Sequence, residues 1–245
     1  MRIKDRVKKT ILGQTKRMKL KIDLHVHTNH SDAITSVGEV VEAARLRHLD
    51  GIAITDHGTT SAFAQAQKLA PDLIVIQGME VESREGHILV LGVKEAPPKD
   101  LEATEVAKYA RQKGGVIIIA HPNMPFISVP KDIIGRIKPD AIETCNAKTP
   151  FFWHYKKKNI ELAEGLSLPQ TGGSDSHSPQ TVGDMYTIVE ADSRNTEAVL
   201  EAIRAGRTQP AGKTSSFKEK IRVDVRMALM RLHITRKDKT KDKEE

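Results

Sequence analysis

A chain of 245 residues is long enough to bury a substantial core, as one large α/β domain or two smaller ones. An aromatic share of 4% argues against a broad base-stacking platform, and a single cysteine excludes an intrachain disulfide or a cysteine-rich zinc motif. The formal charge of +7 belongs to the ends: residues 1–21 carry nine basic side chains and one acid, residues 213–245 eleven and six, and residues 22–212 hold 19 basic against 25 acidic. Such ends suit solvated tails, and they could also draw nucleic acid, an anionic surface or an acidic partner. No apolar run is long enough to span a bilayer, and the first 21 residues lack the apolar centre of a secretory signal. With its lone Cys145 suited to a reducing compartment, the expected location is cytoplasmic. Nothing in the pattern specifies an oligomeric state.

In chain order, KIDLHVH alternates Ile22, Leu24 and Val26 with Asp23, His25 and His27, the period of a strand whose polar face reaches an open site. A helix from about Ser36 to Leu49 leads to the strand GIAIT, which ends at TDHG. After a helix over SAFAQAQKLA, DLIVIQGME returns to strand character and delivers Glu80. HILVLG is a further strand, LEATEVAKYARQKGG a helix, and VIIIAHP a strand with His121 at its exit. DAIETCN, TGGSDSH and MYTIVE complete the strands, with helices around DIIGRIK, YKKKNIELAEG and SRNTEAVLEAIRAG. This alternation predicts a closed or strongly curved α/β fold with its site at the carboxyl ends of the strands. Beyond AGKTSS, Phe217, Ile221, Val225, Ala228 and Leu232 form an apolar helical stripe, expected to dock on the body, with partner binding as the other use. The expected divisions are a basic extension over 1–20, a catalytic-type domain over 21–212 and a basic helix and tail over 213–245.

One HxH pair serves equally as metal ligand or as a structural pair. Here DLHVHTNHSD, ITDHG, GMEVE, AHP, ETCN and GSDSH set His, Asp, Glu and Cys at successive strand exits. Across residues 20–210, these ordered motifs resemble the PHP phosphoesterase family, named for polymerase and histidinol phosphatase members. The resemblance implies a distorted seven-stranded β/α barrel holding two or three divalent ions. By motif matching it implies one ion on His25, His27, Glu80 and Asp175. A second would share Glu80 with His121 and Cys145, and a third would lie on Asp32, His57 and His177. Asp56 would support His57, and Asp23 is a candidate for a supporting role behind the ligands.

These donors suit Mn, Zn or Fe, with Mg possible, and a Cys145 thiolate would favour the softer metals. Bound cations would offset carboxylate repulsion and lower the pKa of water enough to attack a phosphate ester. Glu80, Asp175, His57 and His177 are therefore the expected catalytic set, with either histidine positioning the nucleophile or moving a proton. His30, His87, Lys148, His154, Arg194 and Arg207 are candidate substrate contacts. The expected activity is metal-dependent hydrolysis of a phosphomonoester in a small metabolite or nucleotide. A nuclease or nucleic-acid-end phosphatase, guided by the basic termini, is the first alternative, and a nonenzymatic metal-stabilised interaction module is the second.

Overall fold

The computed structural model describes residues 17–223 together with 225, 226 and 229. Its strands are β1 (Met18–Val26), β2 (Gly51–Ile54), β3 (Ile74–Glu82), β4 (His87–Leu91), β5 (Val116–Ile119), β6 (Ala141–Asn146), β7 (Gln170–Gly173), β8 (Met185–Ala191) and β9 (Thr208–Gly212). The helices are α1 (Val37–Leu46), α2 (Phe63–Leu69), α3 (Ala103–Gln112), α4 (Lys131–Ile137), α5 (Phe152–Gly165) and α6 (Thr196–Arg204). All nine strands lie in one sheet in the order β7-β6-β5-β4-β3-β2-β1-β8-β9.

The sheet curls until its two sides nearly meet. Past β7, Ser176 bridges in parallel to Val26, His27 donates from its backbone N–H to Ser176 O at 3.0 Å, and Asp175 donates to His25 O at 2.8 Å. The seven strands β1 to β7 thus form a barrel-like ring in chain order. Among the described residues the sheet has nine strands rather than the expected seven, because β8 pairs antiparallel with the first half of β1 and β9 with β8. β4 is also antiparallel to both of its neighbours. Only four residues separate β3 from β4, a hairpin-length connection with no room for a crossover helix.

Alternation along the strands divides the core. Ile22, Leu24, Ile76, Leu89 and Ile118 pack in the interior, while Ile117 and Ile119 face outward onto Val106, Ala110 and Ile134 of α3 and α4. Each such fully buried Ile or Leu contributes about 1.5–3 kcal/mol. A second outer layer sets Ile52 and Ile54 against Val40, Val41 and Ala44 of α1. That helix starts in a capping box between Ser36 and Glu39.

The two ends of the ring differ. α6 buries Val199, Leu200, Ala202 and Ile203 against the interior cluster, and residues in and beside it reach the amino-terminal starts of the strands. Thr196 Oγ1 donates to Val75 O, Arg204 to Gly114 O, and Arg194 to the carbonyls of Asp50 and Asp72. With that end covered, polar side chains gather at the carboxyl ends. Residues 217–223 are helical and seat Val223, only 5% exposed. The stripe expected to dock does not: Phe217, Ile221 and Val225 are exposed, while Ala228 and Leu232 lie outside the described residues. Lys220 instead holds the helix, donating to Thr149 O at 2.6 Å and Thr214 Oγ1 at 2.9 Å.

Candidate metal centre

The ends of β1 and β3, the loop after β1, the start of β4 and the exits of β2, β5 and β7 bring nine titratable side chains together. His25 Nε2 and His27 Nε2 stand 3.0 Å apart, and Glu80 Oε2 lies 3.3 Å from each. Asp175 Oδ1 is 3.4 Å from His27 Nε2 and 3.8 Å from His25 Nε2. The other oxygen of Glu80 turns to a second set, with His121 Nε2 at 2.8 Å and His87 Nδ1 at 3.0 Å. A third set joins His27 to Asp32, His57 and His177, with Asp32 Oδ1 3.2 Å from His177 Nε2 and 3.8 Å from His57 Nε2. Each set has the donor spacing to hold an ion.

Fixed backbone and buried carboxylates aim these groups. His25 Nδ1 faces Glu143 Oε1 at 3.0 Å, which leaves Nε2 free to face the cluster. Glu143 Oε2 also accepts from the backbone N–H of His121 at 2.8 Å and from Asn146 Nδ2 at 3.0 Å. Asp23 accepts from the N–H groups of His25, Ser174 and Gly183, tying β1 to the loop that carries Asp175. Asp56 accepts from Thr28 N, Thr28 Oγ1 and Ser31 Oγ, each at 2.7 Å, so it braces the loop after β1 rather than His57. His121 and Asp175 both have left-handed backbone, φ 26° and 50°. Such conformations cost about 1–3 kcal/mol each and persist where surrounding structure enforces them.

Burial disfavours charge on His25, His27, Glu80 and Asp175, yet proximity overrides it. Burial works against a protonated His25, but Glu143, Glu80 and Asp175 hold its pKa well above the ordinary value. His27, buried and bonded to Asp175 and Glu80, is pushed up to about 9. Burial likewise opposes ionised Glu80 and Asp175, but the histidines, and Lys148 beside Asp175, hold both well below the carboxylate range. Burial, His27 and Lys148 together keep His177 below its ordinary value. The cluster demands positive charge at its centre. Facing imidazole nitrogens, two carboxylate oxygens of Glu80 turned to different histidine pairs, and buried His27 Nδ1 and His121 Nδ1, without hydrogen-bond partners among the described residues, form a donor set that fits divalent cations.

The structure does not bring Cys145 to any of these sets. A bulge in the β6–β7 register between Glu143 and Cys145 sends the thiol into an apolar pocket with Ala147, Phe152 and Met185. Burial there pushes its pKa up, away from the thiolate that ligation needs. Glu143 and Asn146 reach the site from the same strand instead. A buried acid inside DAIETCN was the signal for Glu143, since mid-strand carboxylates are buried only with partners.

Among the expected substrate contacts, Lys148 is at the cluster, its Nζ 3.3 Å from both ring nitrogens of His177 and 3.8 Å from Asp175. His87 belongs to the Glu80–His121 set. His30 is exposed and bonded to Ser61, and His154 is exposed against Tyr155. Arg194 and Arg207 lie at the wrong end. Arg207 binds Glu190 O, and Glu190 pairs with Lys19, six residues or roughly 20 Å of strand from His25. Arg194 binds the starts of β2 and β3.

Residues 23–138 match the PHP domain and residues 153–208 the PHP-associated region. The chain is 38% identical over 84 residues to a phosphoribosyl 1,2-cyclic phosphate 1,2-diphosphodiesterase of Eggerthella lenta, covering 31% of this chain and 32% of that one. It is 31% identical over 107 residues to a 5'-3' exoribonuclease of Haemophilus influenzae, covering 41% and 39%. The matched stretches therefore span about a third to two fifths of those two relatives' lengths. A two-domain Bacteroides vulgatus protein containing a predicted PHP-like metal-dependent phosphoesterase superposes with a TM-score of 0.70 at 21% identity, over 81% of this chain and 66% of that one. With its curved sheet, clustered His, Asp and Glu side chains and these matches, the chain belongs to the PHP family of metal-dependent phosphoesterases.

Proposed function

We propose that this protein removes phosphate from a phosphomonoester in a small metabolite or nucleotide, with two or three divalent ions held by its cluster. The observation carrying this reading is the divided carboxylate of Glu80, one oxygen on the His25–His27 pair and the other on His87 and His121. A group shared in this way suits adjoining cations, the arrangement that clamps attacking and leaving oxygens in phosphoryl transfer. In the proposal His25, His27, Glu80 and Asp175 hold one ion, Glu80, His87 and His121 a second, and Asp32, His57 and His177 a third. When bound, such ions supply Lewis-acid charge to the phosphoryl oxygens and acidify water.

The chain's own residues supply the rest. Glu143 fixes the tautomer of His25, and Asp23 and Asp56 set the loops carrying Asp175 and His27. Lys148 adds a donor and a positive charge beside His177, where a phosphoryl oxygen would sit. His177 and His57, both held below their ordinary pKa, are neutral at pH 7 and keep a lone pair for an ion or a proton. Without Cys145 the donors are nitrogen and oxygen only, so the softness argument for zinc lapses and Mn or Fe fits as well.

A metal-reconstituted screen tests the reading, comparing sugar phosphates, nucleoside monophosphates, phosphodiesters and 5'-phosphorylated oligonucleotides with Mn²⁺, Zn²⁺ and Mg²⁺. Release of inorganic phosphate from monoesters supports it. Cleavage of oligonucleotides without phosphate release supports the nuclease alternative, which the basic termini and the exoribonuclease relative favour.

A further inference from the structure

Aromatic side chains are scarce in this chain, with five Phe, three Tyr and one Trp, yet Phe151, Phe152, Trp153 and Phe217 line a single groove. It lies between the start of α5 and the helix at residues 217–223, with a volume of about 410 Å³, enough for a nucleoside. Phe151, Trp153 and Phe217 are 80%, 73% and 78% exposed. Such faces are unfavourable in water unless something covers them.

The groove is charged as well as aromatic. Lys148 and Lys220 line it, and among the described residues no acid does. Lys156 stands 5.3 Å from the Trp153 ring centroid and 5.9 Å from that of Phe152. Lys148 is shared, because the same ammonium that borders the groove reaches His177 and Asp175 of the metal centre. Lys220 ties the helix to Thr149 O and Thr214, so both walls are in place before a ligand arrives. A molecule that spans both regions needs a flat π-face at one end and a phosphate at the other.

We propose that this groove is a nucleobase subsite: the base of a nucleoside monophosphate unit stacks on Trp153 and Phe217 while its phosphate lies at Lys148 and the metal centre. The inference rests on the phosphoesterase reading and narrows its substrate to esters that carry a base. Stacking tolerates any base, since each offers a π-face. The nucleotide unit has two sources, a free mononucleotide or the terminal nucleotide of a strand.

Trp153, as the sole tryptophan, is its own probe. Its fluorescence is titrated in the metal-loaded full chain with AMP, with ribose 5-phosphate and with a 5'-phosphorylated dinucleotide, alongside hydrolysis kinetics of each. Saturable quenching by AMP but not by ribose 5-phosphate is expected. In Phe217→Ala the AMP Kd and KM should rise about 10-fold, while kcat/KM for ribose 5-phosphate stays within about twofold, as stacking on an exposed ring predicts. Tighter binding of the dinucleotide than of AMP assigns the subsite to strand ends, and the reverse to mononucleotides. Hydrolysis of both small esters without quenching, and unchanged in Phe217→Ala, overturns the subsite and leaves the phosphoesterase standing. Quenching by AMP with no ester hydrolysed under any metal supports the subsite and defeats the phosphoesterase reading.

Discussion

Glu143→Gln isolates one charge behind the metal centre. The amide keeps the size of the carboxylate and an oxygen to accept from His121 N, but it removes the anion that faces His25 Nδ1 at 3.0 Å in a fully buried setting. Hydrogen bonds to charged groups are worth about 1.5–3 kcal/mol. Loss of a carboxylate behind a ligating histidine typically weakens metal binding about 10–100-fold, about 1.4–2.8 kcal/mol, which agrees with that range. The assay is competition of metal-stripped protein against a chromophoric chelator, with Mn²⁺ and with Zn²⁺. Cys145→Ala is the comparison, because its thiol packs on Ala147, Phe152 and Met185; it should bind within about twofold of wild type. Wild-type affinity in Glu143→Gln together with a large loss in Cys145→Ala would refute the placement of both side chains.

Gly173→Ala should disable the centre from behind, since a Cβ there would collide with His25 Cβ and come within 2.6 Å of Glu143 Oε1; differential scanning fluorimetry should show a loss of about 1–3 kcal/mol, with metal affinity lowered as His25 is displaced. Chelated protein should lose thermal stability as pH rises from 6.5 toward 9: His27 titrates near 9 when folded and near 6.5 when unfolded, so its contribution is complete below 6.5 and gone above 9. Metal-loaded protein should not follow that decline, because the cation takes the proton's place. Lys148→Met should lower kcat/KM for phosphate esters at least 10-fold with metal content intact, whereas Arg207→Ala, at the far end of the ring, should leave both within about twofold.

Much of the fold was legible because strand and helix periods here are clean. KIDLHVH, GIAIT, VIIIAHP and DAIETCN are strands within a few residues of their expected limits, and the capping box of Ser36 and Glu39 marks the start of α1. TQPAG was missed as β9, since it holds a proline, no alternation and no β-branched residue beyond Thr208. Ligand-capable residues were legible because they sit at strand exits in order. What periodicity could not show was a one-residue bulge, which alone decides that Glu143 and not Cys145 serves the centre. Nor could it show which end of a strand an arginine occupies, since Arg194 and Arg207 follow β8, which runs antiparallel to β1. The exposed stripe at Phe217, Ile221 and Val225 has the period of a buried one, and only the seating of Lys220 and Val223 turns it outward.

Ion counting tests the central claim most directly. Metal-stripped wild type and Glu80→Gln are reloaded with Mn²⁺, dialysed and measured by inductively coupled plasma mass spectrometry, with phosphate release from a monoester followed on the same samples. The account predicts at least two ions per wild-type chain, loss of at least one in Glu80→Gln, and hydrolysis that falls with it. Full hydrolysis by the metal-stripped wild type, or unchanged ion content in Glu80→Gln, would contradict it.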